Sequence, residues 1–205
     1  MGVQALKQLG LPKDAWYVTL HVREPSYRSE TPENTTAHFR NGNPLNYLKA
    51  CEAVTRAGGW VFRMGDPSLT PLPNMPQVID YAHHEIRSDW MDIFLGATCR
   101  FLISNGSGYY RVPGYFGVPS VLTDYPGFTT YYSMKSYDLY LPRWLKKTQT
   151  GTLISFKEFM SPPASTLWST KSFQDIGVHW VESTPEELEA ATMEMIEQTD
   201  GRLPS

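Results

Sequence analysis

His21, Arg23 and Glu24 stand together in the run His21-Val22-Arg23-Glu24-Pro25, at the end of an aromatic and β-branched stretch. With side chains alternating along a strand, His21 and Arg23 share a face. Burying such groups costs energy unless each finds a partner, and a phosphate would satisfy both. A second signature is the glycine-serine turn Ser104-Asn105-Gly106-Ser107-Gly108, which follows the apolar run Arg100 to Ile103. Glycine and serine allow a sharp turn there and expose N–H groups to an anion at a helix start. Asn105, Gly106, Ser107 and Gly108 are therefore candidate phosphate contacts beside His21 and Arg23. Arg40 and Arg63 are further basic candidates. Arg23 is the strongest candidate to offset the negative charge of a phosphate held there. Glu24 is the first candidate for a general base beside such a site, with Asp66 and Asp80 behind it.

Other chemistries have no pattern here. The glycine turn is neither GxGxxG with its ribose acid nor GxxxxGK[ST], and no GxSxG elbow occurs. CxxC and HExxH are absent, and His83-His84 near Asp80 and Glu85 has no third ligand placed by spacing. No DxD pair occurs, so a metal-independent reaction is expected. Cys51 and Cys99 read as small core residues of a reducing compartment.

Elements of an α/β fold must position these groups. The predicted strands are Trp16 to Val22, Trp60 to Met64, a very short Val78 to Tyr81, Arg100 to Ile103, and Val118 to Thr123. A helix from Pro44 to Ala57 carries an apolar face at Leu45, Leu48, Cys51 and Val54, capped by Asn43. The stretch Asp89 to Pro119 reads as helix, strand, glycine turn, helix. Its first helix begins its apolar patch at Asp92 and stops at Gly96. Its second runs from Tyr109 to Phe116. Strands alternating with helices imply a mostly parallel sheet. Each strand would end in polar or glycine residues, at His21/Arg23/Glu24, Gly65/Asp66, Asp80, Ser104 to Gly108, and Asp124. In a parallel sheet these ends share one edge, where ligands bind. Residues 1–205 are read as a single Rossmann-like domain. It has an N-terminal helix and linker at 1–15, an irregular aromatic region at 125–170 and a C-terminal helix at 184–200. The polar loop Ser26 to Asn43 would lie over the site.

HVRE at the first strand, GGWVFRMGD, VIDYAH, SDWMDIFLGATCRFLISNGSG and FGVP together resemble a bacterial glycosyltransferase family. The similarity runs roughly from Leu9 to Asp124. More distantly, HVR and the spacing from Asp92 to Ser107 resemble the C-terminal nucleotide-sugar domain of α1,6-fucosyltransferases and protein O-fucosyltransferases. The resemblance implies one half of a GT-B architecture, that is, of two Rossmann-like domains. It implies that His21 and Arg23 hold the donor diphosphate, that Asp92 contacts the nucleotide base and that Ser107 contacts phosphate. The family's second serine falls on Gly108, and its further basic residue falls on Glu24. A GDP-sugar is the donor this likeness favours.

A net charge of -3 with scattered Lys and Arg gives no surface for nucleic acid or an anionic membrane. No apolar run approaches the ~18 residues of a membrane span, and a cytoplasmic protein is expected. Aromatic residues make up 13% and are plentiful in loops, and those between Tyr125 and Tyr140 could form an acceptor platform or an interface. The sequence thus points to transfer of a sugar from a nucleotide-diphosphate sugar to a glycan or peptide acceptor. The alternatives are a non-catalytic nucleotide-sugar or glycan-binding module lacking the acceptor domain and, more weakly, a phosphosugar isomerase or hydrolase. The acceptor side would come from the irregular region Tyr125 to Thr170, from a partner domain or homo-oligomer, or be missing.

Overall fold

A computed structural model describes residues 2–25, 38–125, 134–167 and 169–201. Most of the loop expected over the site (26–37) and part of the aromatic region, including Tyr131 and Tyr132, lie outside the described residues.

A six-stranded, wholly parallel sheet forms the centre, in the order β3-β2-β1-β4-β5-β6. Its strands are β1 (Tyr17–His21), β2 (Trp60–Arg63), β3 (Val78–Ile79), β4 (Leu102–Ser104), β5 (Ser120–Tyr125) and β6 (Leu139–Pro142). The chain winds outward to one side through β2 and β3, then returns to the other side of β1 with β4. The strand order therefore reverses between β1 and β4, and at such a switch point the loops diverge and leave a crevice. Register makes the crevice level. His21 pairs with Ser104, and Leu20 pairs with Arg63 on the opposite side.

Helices cover both faces. On one, α2 (Leu48–Arg56) packs against α7 (Pro185–Thr199), and Val18, Leu20 and Val22 of the first strand region point into that layer. On the other, α1 (Gly2–Gln8) and α3 (Asp89–Thr98) cover Tyr17, Phe62 and Met64, and α4 (Arg111–Tyr115) packs on α3. Burying such apolar side chains stabilises by about 1.5–3 kcal/mol each. The α7 start is closed by a capping box, in which Thr184 accepts from the Glu187 N–H and the Glu187 carboxylate accepts in return.

Several boundaries differ from the sequence expectation, each for a local reason. The helix expected from Pro44 begins as a 3-10 turn over Pro44–Tyr47, capped by Asn43, and becomes α-helical at Leu48. α3 starts at Asp89 and runs through Gly96 to Thr98. Gly96 does not end it. A Cβ there would lie 2.9 Å from the Tyr109 hydroxyl and 3.0 Å from Val112, so glycine lets α4 approach. The helix expected from Tyr109 to Phe116 is a 3-10 turn, Gly108–Tyr110, followed by only five α-helical residues. Such a short helix has little dipole to offer an anion. Within the region 125–170, the described residues hold regular elements. These are β6, then β7 (Trp144–Lys147) paired antiparallel with β8 (Val178–Val181), and α5 (Phe156–Met160). These pieces, with α6 (Thr170–Asp175), enclose a separate apolar cluster of Phe39, Leu145, Phe159 and Phe173. No helix is long and apolar enough to cross a membrane among the described residues.

Candidate functional site

The loops that leave β1, β2, β3 and β4 enclose a cleft of about 450 Å³ at the switch point. His21, Arg23 and Glu24 come from the β1 end, and Met64, Gly65, Asp66 and Leu69 from beyond β2. Arg87 and Asp92 come from the entry to α3, and Ser107, Gly108 and Tyr109 from the turn after β4. Seven residues singled out in the sequence meet here: His21, Arg23, Glu24, Asp66, Asp92, Ser107 and Gly108.

The two signatures are held together by a buried amide. Asn105 accepts from the Arg23 backbone N–H at 2.8 Å and donates to the carbonyls of Arg23 (3.3 Å) and Arg40 (3.2 Å). Its side chain is thus committed to the frame, a correction to the expectation that it contacts the ligand. Arg40 is also in the frame, with Nε donating to the Gly106 carbonyl at 2.6 Å. The segment carrying Arg40 and Asn41 is pinned in turn by the fully buried Arg143, which donates to the carbonyls of Phe39 (2.6 Å) and Asn41 (2.8 Å). On the far side of this frame the Asp124 carboxylate accepts from the Ser183 N–H at 2.8 Å, so the β5 end faces away from the cleft. Arg23 donates through Nη1 to the Asn41 side-chain oxygen, which sets the direction of its guanidinium.

His21 is stacked on Tyr109, with ring centroids 5.4 Å apart, and its Nδ1 is buried without a hydrogen-bond partner among the described residues. Burial lowers its pKa to about 4, and the charges of Arg63 and Arg23 push the same way. His21 is therefore a neutral ring at pH 7 and not a second cation for phosphate. Asp92 has a buried side-chain oxygen, Oδ1, that also lacks a partner among the described residues. Its burial raises its pKa, against the opposing pull of the Tyr81 hydroxyl and of Arg87. Ser107 accepts from the Tyr109 N–H at 3.2 Å, and its hydroxyl proton can still be donated to the cleft. Gly108 is exposed, and a Cβ on it would meet nothing within 4 Å.

The acids expected to act as bases are placed differently. Glu24 is 3% exposed, and both oxygens are engaged, one by Arg63 at 2.6 Å and one by the Thr70 N–H at 3.1 Å. Asp80 accepts from Arg63 (3.3 Å), the Leu72 N–H (2.9 Å) and the His83 ring (2.9 Å). Arg63 is itself fully buried between them, so it serves neither substrate nor solvent. Together these three tie the β2 end to the loop that carries Thr70 and Leu72. Asp66 remains partly exposed on the wall, but hydrogen bonds from Ser68 lower its pKa, which makes it a weak base. Among the described residues no group of three or more His, Cys, Asp or Glu side chains gathers as it would around a metal ion.

Two cleft residues with polar side-chain groups escape a reading by strand ends. Arg87 lies in the loop between β3 and α3, and Tyr109 just past the glycine turn. The available signal was topological, since every loop leaving the carboxyl edge next to the switch point belongs to the same crevice.

No protein-family model matches the chain, and no curated protein matches it. Among solved structures, the chain is similar to the glycosyl transferase family 9 structure from Veillonella parvula DSM 2008. The TM-score is 0.60 at 14% identity, over 96% of this chain and 50% of that one. It is also similar, at a TM-score of 0.49 and 13% identity, to the dodecameric iron-containing heptosyltransferase TibC in complex with ADP-D-β-D-heptose, over 92% of this chain and 46% of that one. The chain spans about half the length of each. At such identities the first likeness carries the fold: a Rossmann-like α/β sheet resembling one half of a GT-B-like glycosyltransferase.

Proposed function

We propose that the chain is the donor-binding half of a glycosyltransferase and holds a nucleotide-diphosphate sugar in the cleft at the β1–β4 switch point. The observation that carries this reading is the convergence of Arg23, His21, Ser107 and Asp92 in one 450 Å³ cleft at the edge where this sheet topology binds ligands. The shared fold with a family 9 glycosyl transferase supports it. Arg23 holds the diphosphate, and its charge offsets the negative charge that develops as the sugar departs. The Ser107 hydroxyl donates to a phosphoryl oxygen. His21, neutral and stacked on Tyr109, presents a ring face and a single N–H. The base is read by Asp92. A carboxylate with an unpartnered oxygen suits the adjacent N–H and NH₂ donors of guanine, so a GDP-sugar is the first candidate.

With Glu24 and Asp80 occupied by Arg63, the base for the acceptor hydroxyl is assigned to an acceptor-binding half or partner. Transfer is proposed to proceed without a metal. Titration calorimetry with GDP, UDP, ADP and CMP tests the reading. One diphosphate should bind, and Arg23→Ala should weaken it about 10- to 100-fold, as the loss of charged hydrogen bonds implies. If no nucleotide binds, the donor reading is abandoned.

A further inference from the structure

Arg87 lies on the wall of the same cleft and has no task in the reading above. Its Nε donates to the Gly65 carbonyl at 2.9 Å, which fixes the plane of the guanidinium. Its terminal nitrogens have no hydrogen-bond partner among the described residues. The other arginines around the site are occupied: Arg63 by Glu24 and Asp80, and Arg40 by Gly106. Asp66 and Asp92 feel the charge of Arg87, yet neither forms an ion pair with it. A guanidinium anchored at Nε has little orientation left to lose, and its remaining donors form a fork that matches a phosphoryl group.

Position along the sheet edge gives this fork a role. Adjacent strands run β2, β1, β4, so the groups beyond them follow in that order: Gly65 with Arg87, then Arg23, then Ser107. Arg87 and Ser107 thus flank Arg23. A row with a guanidinium at its end, another at its centre and a hydroxyl beyond suits two linked phosphoryl groups better than one. We infer that Arg87 is a second arginine of the diphosphate site, holding the phosphoryl group that Arg23 and Ser107 do not reach. The inference rests on the donor-site reading and adds to it a residue and a preference for diphosphate over monophosphate.

Calorimetry with GDP, GMP and inorganic pyrophosphate tests it, on the wild type, Arg87→Gln and Arg87→Lys. Pyrophosphate probes the phosphate row whatever the base. Arg87→Gln should weaken pyrophosphate and GDP about 10- to 100-fold, and GMP much less, so the GDP-to-GMP affinity ratio collapses. Arg87→Lys keeps the charge without the fork and should recover part of the loss. Thermal melts establish that each variant is folded. If Arg87→Gln does not fold, Arg87→Lys carries the test, with pyrophosphate weakened about tenfold against the wild type. Unchanged pyrophosphate and GDP binding in a folded variant overturns the inference and leaves the donor reading standing. Equal weakening of GMP and GDP also overturns it, since Arg87 would then act through Asp92 on the base. If the wild type binds neither pyrophosphate nor any nucleotide, the donor reading falls first and this inference with it.

Discussion

Glu24 shows how a residue's role turns on what stands behind it. Beside Arg23 in the sequence it looks like a base poised near a phosphate. In the fold its carboxylate is buried against Arg63, 2.6 Å away, and it also caps the Thr70 N–H. That pairing was hidden because it depends on the register that sets Leu20 beside Arg63. Glu24→Gln should therefore act as a stability variant. Breaking one side of a buried ion pair costs about 3–5 kcal/mol, and urea unfolding should report a loss of that order. Loss of transfer activity with unchanged stability would restore Glu24 as a base. His21 makes a prediction in pH. Its folded pKa of about 4 lies below the ordinary value of 6.5, so as pH falls between those values the unfolded chain gains a proton that the folded chain refuses. Stability is fully present above the upper value and declines on acidification through the window. The loss is on the order of 1–3 kcal/mol, reduced by the ring's partial exposure. Unfolding at pH 7 and at pH 4.5 should show a smaller pH dependence for His21→Gln than for the wild type. Parallel profiles would contradict the buried neutral ring. What was legible at this scale were polar residues stranded at the ends of apolar runs, which is why His21, Arg23 and Ser107 stood out. Arg87 did not, because an arginine in a polar loop looks like any surface charge.

The strands β1 to β5 were legible as elements because each is a short apolar run followed closely by glycine, proline or acid. β6 and β7 were not. Their residues are largely half-buried, and the apolar run Leu139 to Leu141 is broken at once by Pro142 and Arg143. Gly96 misled for a different reason, since a glycine required by close packing looks the same in sequence as one that ends a helix. The element-scale claim is that the ends of β1 and β4 form one rigid unit through Asn105. Asn105→Ala should leave the Arg23 N–H without its partner, at about 1 kcal/mol or more. It should also speed hydrogen exchange at that amide and weaken nucleotide binding by displacing Arg23. Retention of both full protection and full affinity would show that the turn holds its shape without the amide.

At the scale of the whole molecule, the strand order fixes where a ligand can sit, and the candidate residues were read onto that edge from sequence alone. No motif in the sequence marks the acceptor side that the proposed function requires. The fold also offers a competing cavity. A cleft of about 560 Å³ lies between α5 and β8, lined by Lys147, Ile154, Lys157, Pro163 and Val178, with none of the candidate residues on its wall. Locating the nucleotide therefore tests the account most directly. Backbone amide spectra of the ¹⁵N-labelled chain, recorded while GDP (or whichever diphosphate calorimetry selects) is added, should shift at His21, Arg23, Gly65, Arg87, Ser107 and Gly108. Shifts confined to the cleft between α5 and β8, or no shifts at all, would contradict it.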